Sequence, residues 1–348
     1  MRISLTKKDL AFFVPYGIWF FWGVINITNY KDFIPGFLST NLITILVCFL
    51  LLFKWMTTGI LRSYRFVFTA AIVMLGIVVV QMKRIPFFGT LFIIISAFDV
   101  DLRKIVKFSL MIMLPVIALT IIGAEVGIIE NTVFDQEERV RESLGFIYSG
   151  LVNIMFMNCI YGLFFLYRDK IKLYHWVIPG ALMLFFYQKT KTRTDLILLI
   201  ALFVIWALII RKKVSINNVI GRSVCTLVYP AIFLISLVSS IVFDPFDSRW
   251  RALNEMFTGR LGLAHSMYEK EGYSLFGKVI IMAAKQYAEE HHVEYNYVDN
   301  GYLQTAFLYG AIIIVCIVLG YTLLSYRAAK ENDPCPMSLT ARCLNPAD

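Results

Sequence analysis

Residues 187–210 read YQKTKTRTDLILLIALFVIWALII. Three basic side chains, Lys189, Lys191 and Arg193, crowd into five positions, and from Leu196 to Ile210 no charged residue follows. A helix of that composition has no polar face to offer water, so it belongs either to a deep core or to lipid. The rest of the chain decides between the two. Of its 348 residues 59% are hydrophobic and 16% charged, with a mean hydropathy of +0.70. A soluble domain carries about 25% charged residues. Length alone would give about two soluble domains. The repetition of helix-length apolar runs overrides that reading and defines an all-α, polytopic integral membrane protein.

Ten segments have the length and apolarity of spans: about 10–27, 37–56, 66–82, 85–98, 108–129, 144–166, 174–188, 195–210, 224–243 and 298–324. The domain plan follows from them. Residues 1–243 hold nine spans with short loops, 244–297 form one large extracytoplasmic loop, and 298–326 hold the last span. Residues 327–348 are a polar tail that reads as a shortened or frameshifted end. The N-terminus, MRISLTKKDL, lacks a small-residue cleavage pattern before the next polar stretch and reads as the start of an uncleaved first span.

Loop Lys and Arg set orientation. With the N-terminus inside, the inner segments carry 19 of the 33 basic residues, and both termini are cytoplasmic. The net charge of +9 is read as this loop excess and not as a nucleic-acid surface, because no basic stripe with interleaved aromatics occurs. Cys48, Cys159, Cys225 and Cys316 lie in apolar runs, while Cys335 and Cys343 lie in the tail. No CxxC or Cys/His spacing points to a disulfide framework, a metal or a cofactor. His291 and His292 adjoin Glu289, Glu290 and Glu294, but sequence neighbours point apart, so a titrating surface patch is favoured over a metal site.

In this orientation Lys189, Lys191 and Arg193 lie outside, against the charge rule. The apolar segments flanking them are about 15 and 16 residues, roughly 22–24 Å at helical rise against a hydrocarbon core of about 30 Å. The turn is therefore expected to be recessed, facing a cavity. Two readings stand side by side: snorkelling to headgroups, or an anion site. For the second, Thr194 or Asp195 caps the next helix and Arg193 offers a two-donor fork.

The outer loop opens DPFDSRWRALNEMFTGRLGLAH, with Arg249, Arg251 and Arg260 facing a single intervening carboxylate, Glu255. Arg249 and Arg251 diverge around a helix. Gly259 permits a tight turn before Arg260. His265 follows as a candidate base or donor, with a plain loop histidine as the alternative. Residues 278–290 read as an amphipathic interfacial helix. VDNGYLQTAFLYGAIII then opens the last span, with Asp299 and Asn300 as candidate caps. Together with Tyr302 and Gln304 they exceed what a cap needs. They share a cavity with the basic turn if the last span packs beside it.

Three stretches carry a resemblance: KTRTDLILLIAL, FTGRLGLAH and VDNGYLQTAFLYGAII. In order and in sidedness they resemble the Wzy-type polymerases of O-antigen, capsular polysaccharide and exopolysaccharide, within the O-antigen polymerase/ligase superfamily. The resemblance covers residues 1–330 and implies a GT-C-like fold in the bacterial cytoplasmic membrane. It implies a metal- and nucleotide-independent glycosyltransferase that polymerises oligosaccharide repeat units linked to undecaprenyl or another polyprenyl diphosphate on the outer face. Implied partners are that lipid-linked oligosaccharide, the bilayer, and flippase and chain-length regulator proteins. By position, Arg193 and Arg260 fall on the family's basic elements, and Asp299 and Tyr302 on its Asp-Asn-x-Tyr element. Arg193, Arg260, Lys191, Lys189, Arg249, Arg251, Tyr302 and Asn300 are thus expected to bind diphosphate or glycan. Asp299 is the first candidate general base and His265 the second. Rival readings are a glycan ligase of the O-antigen or teichoic type, a lipid-linked oligosaccharide flippase, and a structural partner in export.

Overall fold

The computed structural model describes residues 6–58, 72–73, 76–77, 80, 85–97, 99–136, 139–167, 170–212, 219–283, 292–293 and 295–330. The described chain is mostly helical. In order come α1 (Lys7–Ile25), α2 (Thr40–Thr58), α3 (Ile85–Ser96) and α4 (Leu102–Glu125), then a hairpin of β1 (Val133–Gln136) and β2 (Arg139–Glu142). There follow α5 (Leu151–Tyr167), α6 (Tyr174–Thr190), α7 (Arg193–Lys212), α8 (Val219–Val242), α9 (Ser248–Met256), α10 (Arg260–Glu271) and α11 (Gly301–Lys330). Nine of the ten candidate spans coincide with one of these helices, and the tenth, 66–82, lies mostly outside the described residues.

Three described helices are long and apolar enough to cross a membrane, within Thr40–Thr57, Leu102–Glu125 and Gly301–Arg327. Their outward faces are apolar as well: Ile45, Leu119 and Leu319 are all exposed. In water such faces would be an aggregation hazard; in lipid they are the solvated surface. The chain is membrane-associated on this evidence.

Three expectations are corrected. The described chain is not helical throughout: after α4, β1 and β2 pair antiparallel, Val133 with Glu142 and Gln136 with Arg139, so a small hairpin interrupts the expected all-α pattern. Residues 144–150, expected to begin a span, precede α5. Leu144 and Phe146 are instead fully buried against the exit of α1, where Asn29 N–H donates to Gly145 O at 2.8 Å and Ile147 N–H to Ile27 O at 3.1 Å. Gly145 sits at φ +81, and a Cβ there would come within 2.9 Å of Thr120 O. Finally, 278–283 is not helical; Asn296 holds it, accepting from Ala283 N–H at 2.6 Å and donating to Ile281 O at 3.1 Å. The rest of the expected interfacial helix, 284–290, lies outside the described residues.

Two compact units divide the chain, one in Met1–Arg65 and Gly89–Ser215, the other in Phe66–Phe88 and Ile216–Pro336. In the first, α1 starts with a reciprocal cap, Thr6 accepting from Asp9 N–H while Asp9 accepts from Thr6 N–H. Asp9 also binds Lys104 of α4 at 2.8 Å. Lys54 of α2 is fully buried, donating to Ser96 O and paired with Asp99. The apolar core runs through Leu110, Met113, Val152, Phe156, Ile160, Met183 and Leu199 of α4 to α7.

In the second unit α8 packs along α11, and α10 packs on both. Ala264 and Met267 of α10 share a core with Val298, Leu303 and Phe307. The long helix α11 is broken at Gly310, whose φ of 88 and ψ of 167 are not helical. The break frees two N–H groups, and the segment before 278 fills it: Ala311 N–H donates to Ser274 O at 2.8 Å and Ile312 N–H to Leu275 O at 3.2 Å. Backbone meets backbone here. A Cβ on Gly310 would lie 2.3 Å from Gly277 N, and one on Gly277 2.3 Å from Leu308 O. Glycine is the residue both the positive φ and the approach require.

Candidate functional site

Arg260 opens α10 because Thr258 and Gly259 both take left-handed φ, 54 and 83, turning the chain sharply after α9. Asn254 secures the turn, its Oδ1 accepting from Gly262 N–H at 2.9 Å. Arg260, Ala264 and Met267 lie at i, i+4 and i+7 on one stripe of α10. The lower two bury against the start of α11, and this aims Arg260 at the residues just before that helix. There Arg260 Nε donates to Asp299 Oδ2 at 3.4 Å. The side chains stay 50% and 39% exposed, so the pair is open to an incoming ligand.

Asn300 is the cap of α11. Its Oδ1 accepts from Tyr302 N–H at 3.0 Å and Leu303 N–H at 3.2 Å, leaving Asp299 for Arg260. Its amide donates to Ser236 Oγ of α8 at 3.0 Å. One turn further along α8, Ser240 Oγ shares a 2.7 Å hydrogen bond with the Tyr273 phenol, and Ser240 O accepts from His265 Nδ1 at 2.9 Å. A backbone carbonyl only accepts, so the proton of a neutral His265 sits on Nδ1. Its Nε2 lies 3.4 Å from Glu269, one turn along α10. Burial pushes the Tyr273 phenol above its ordinary value, with Ser240 opposing. Thus Ser236 and Ser240 form a polar seam on α8 that anchors Asn300, Tyr273 and His265. Their signal in the sequence is two serines four apart in an apolar helix.

His265 is not brought to the Arg260–Asp299 pair. It is five residues on from Arg260, about 140° round the helix, and faces α8. The Tyr302 ring packs by Phe233 at 6.1 Å between centroids. Arg249 and Arg251 are exposed on α9, and neither has an ion-pair partner among the described residues.

The basic turn belongs to the other unit. Thr190, Lys191, Thr192 and Arg193 alternate inward and outward. Asn153 of α5, fully buried, donates to Thr190 Oγ1 at 2.9 Å and to Thr192 Oγ1. Asp195, in the first turn of α7, is within reach of the Thr192 and Asn153 side chains. Helix α7 starts at Arg193, so Thr192 holds the capping position, two residues before the earliest expected cap. Lys191 is left-handed, φ 53, which turns its side chain and that of Arg193 outward. Both are exposed, with no ion-pair partner among the described residues. Lys189 differs: both Glu142 oxygens hold its ammonium at 3.1 Å, so β2 already neutralises it. Of the two helices expected to be short, α6 remains so, its 17 residues reaching about 26 Å, and α7 does not. With its charged ends folded into the helix, α7 has 20 residues and reaches about 30 Å.

The fold defines a mostly helical, membrane-associated protein. No family model, no curated protein and no solved structure matches the chain.

Proposed function

We propose that this protein is a membrane-embedded glycosyltransferase that polymerises polyprenyl-diphosphate-linked oligosaccharide repeat units into O-antigen, capsular or exopolysaccharide. It acts on the outer face of the bacterial cytoplasmic membrane, with about ten spans, a GT-C-like arrangement and both termini in the cytoplasm. The observation that carries the reading is the 3.4 Å contact between Arg260 and Asp299, 39 residues apart. They come from two of the three stretches on which the resemblance rests.

The chemistry needs three things. The acceptor hydroxyl oxygen bonds to the anomeric carbon of the donor as the bond from that carbon to the diphosphate oxygen breaks. The diphosphate leaves with the electron pair, so its developing charge must be stabilised. The hydroxyl proton must go to a base. Arg260 keeps Nε on Asp299 and turns its terminal nitrogens to the leaving diphosphate. Asp299 holds Arg260 through Oδ2 and receives the acceptor proton on Oδ1. His265, fixed between Ser240 and Glu269, positions α10 on α8. Arg193 and Lys191 are a further two outward cations for the lipid-linked substrates, while Lys189 is neutralised by Glu142.

A flippase is the second reading, favoured by the break at Gly310, since interrupted helices are a mark of transporters. A ligase would share the polymerase chemistry with a different acceptor. Purified protein in liposomes with a lipid-diphosphate repeat unit separates these. A ladder of products supports the polymerase. Redistribution across the bilayer without new glycosidic bonds supports the flippase, and the absence of both products and redistribution sinks both readings.

A further inference from the structure

The short helix α9 carries two arginines that the site does not use. It buries none of its residues fully, yet it is pinned in place: the Trp250 ring packs edge-on against Phe243 at 5.8 Å between centroids. Phe243 continues α8, its N–H donating to Ser239 O at 3.1 Å. So α9 sits at the very end of α8. Five residues link the two helices, a reach of about 20 Å even when fully extended.

Positions 249, 253 and 256 are i, i+4 and i+7, one stripe of the helix. Phe246 precedes the stripe and Phe257 follows it. Phe246 is 88% and Met256 73% exposed, and Leu253 and Phe257 are exposed too. Arg249 heads the stripe without an ion-pair partner among the described residues. The other exposed arc is Ser248, Arg251, Ala252 and Glu255, which is polar. A narrow apolar stripe with a free guanidinium at its head, at the mouth of an apolar helix, matches one environment: the boundary between acyl chains and anionic headgroups.

We infer that α9 is an interfacial anchor that lays Phe246, Leu253, Met256 and Phe257 into the bilayer surface, with Arg249 on an anionic phospholipid headgroup. This rests on reading α8 as a span, and it takes Arg249 out of the diphosphate site. An interfacial helix of the outer loop then lies at 248–256.

The test uses the full chain in nanodiscs containing phosphatidylglycerol. A genetically encoded fluorescent amino acid is placed singly at 246, 253, 256, 252, 255 and, as reference, at Ile235, which α8 exposes. Lipids carry nitroxide at a shallow or a deep acyl position. Shallow nitroxide is expected to quench 246, 253 and 256 at least about twofold more than 252 and 255. Arg249→Gln is expected to lessen quenching at 253 in anionic discs and to leave it unchanged in zwitterionic ones. Deep quenching at 235 with equal quenching along both arcs of α9, or with none, overturns this inference alone. No quenching at 235 overturns the reading of α8 itself.

Discussion

Arg260 and Asp299 show what two adjacent polar residues do when only one is needed as a cap. Asn300 satisfies two N–H groups of α11, and the neighbouring carboxylate is released to orient a guanidinium. If Arg260 stabilises the leaving diphosphate, Arg260→Lys keeps the charge and loses the fork. Chain elongation in the liposome assay is then expected to fall on the order of 100-fold. Ladders of near-normal length would remove Arg260 from the site. Arg193→Lys is the matching experiment in the other unit, with a loss of similar size. Tyr273 offers a pH handle. Its phenol is held neutral by burial, so the folded pKa lies above the unfolded value near 10. The folded state retains the proton longer, and stability is flat below about pH 10 and falls as pH rises past it. Tyr273→Phe should cost about 1 kcal/mol at neutral pH, from the lost Ser240 bond, and blunt the alkaline fall. Thermal unfolding in detergent at pH 7 and pH 10.5 reads both effects.

At the scale of elements, two contacts hold helices where apolar packing alone would let them slide. The first is the Lys54–Asp99 pair, in which the lysine has no solvent contact while the aspartate side chain is 32% exposed. The asymmetry makes a directional prediction. Asp99→Asn removes the nearest counter-charge of a buried ammonium and should cost about 3 kcal/mol, whereas Lys54→Met leaves a carboxylate that water can reach and should cost about 2 kcal/mol or less. Equal losses in denaturant titrations of the two variants would contradict this. The second contact is the crossing of Gly277 and Gly310. A methyl at either would meet backbone that has no rotamer to yield, on top of the positive φ. Gly310→Ala and Gly277→Ala should each lower stability by about 3 kcal/mol or more. By contrast, Gly320→Ala, where a Cβ meets nothing within 4 Å, should be neutral or better, and the comparison is a thermal-shift measurement on the three variants.

For the molecule as a whole, sidedness is the property on which the proposed chemistry depends. Thr190 is buried, so Lys191 is the position in the basic turn to replace for labelling. Lys191→Cys and Lys270→Cys are expected to react with an impermeant thiol reagent applied outside cells, and Lys212→Cys only after permeabilisation. Labelling at 212 alone would invert the orientation. Apolar runs were legible because a lipid-facing helix needs little more than length and hydrophobicity, and nine of them reappear as helices. Their ends were less legible. Charged residues such as Arg103, Lys104 and Arg193 look like loop in the sequence but continue the helical hydrogen bonding of α4 and α7.

By itself the sequence determined the class of molecule, the rough position of its helices and the pool of candidate cations, because hydrophobicity and charge are local properties of the chain. Which cations are spent and which are free was decided by tertiary structure alone. Glu142 neutralises Lys189, Asp299 orients Arg260, and Lys191 and Arg193 are left without an ion-pair partner among the described residues. The break at Gly310 and the non-helical run at 278–283 belong to the same category. Each is stabilised by backbone partners from a distant segment, Ser274 and Leu275 in one case and Asn296 in the other, and no local pattern encodes a partner.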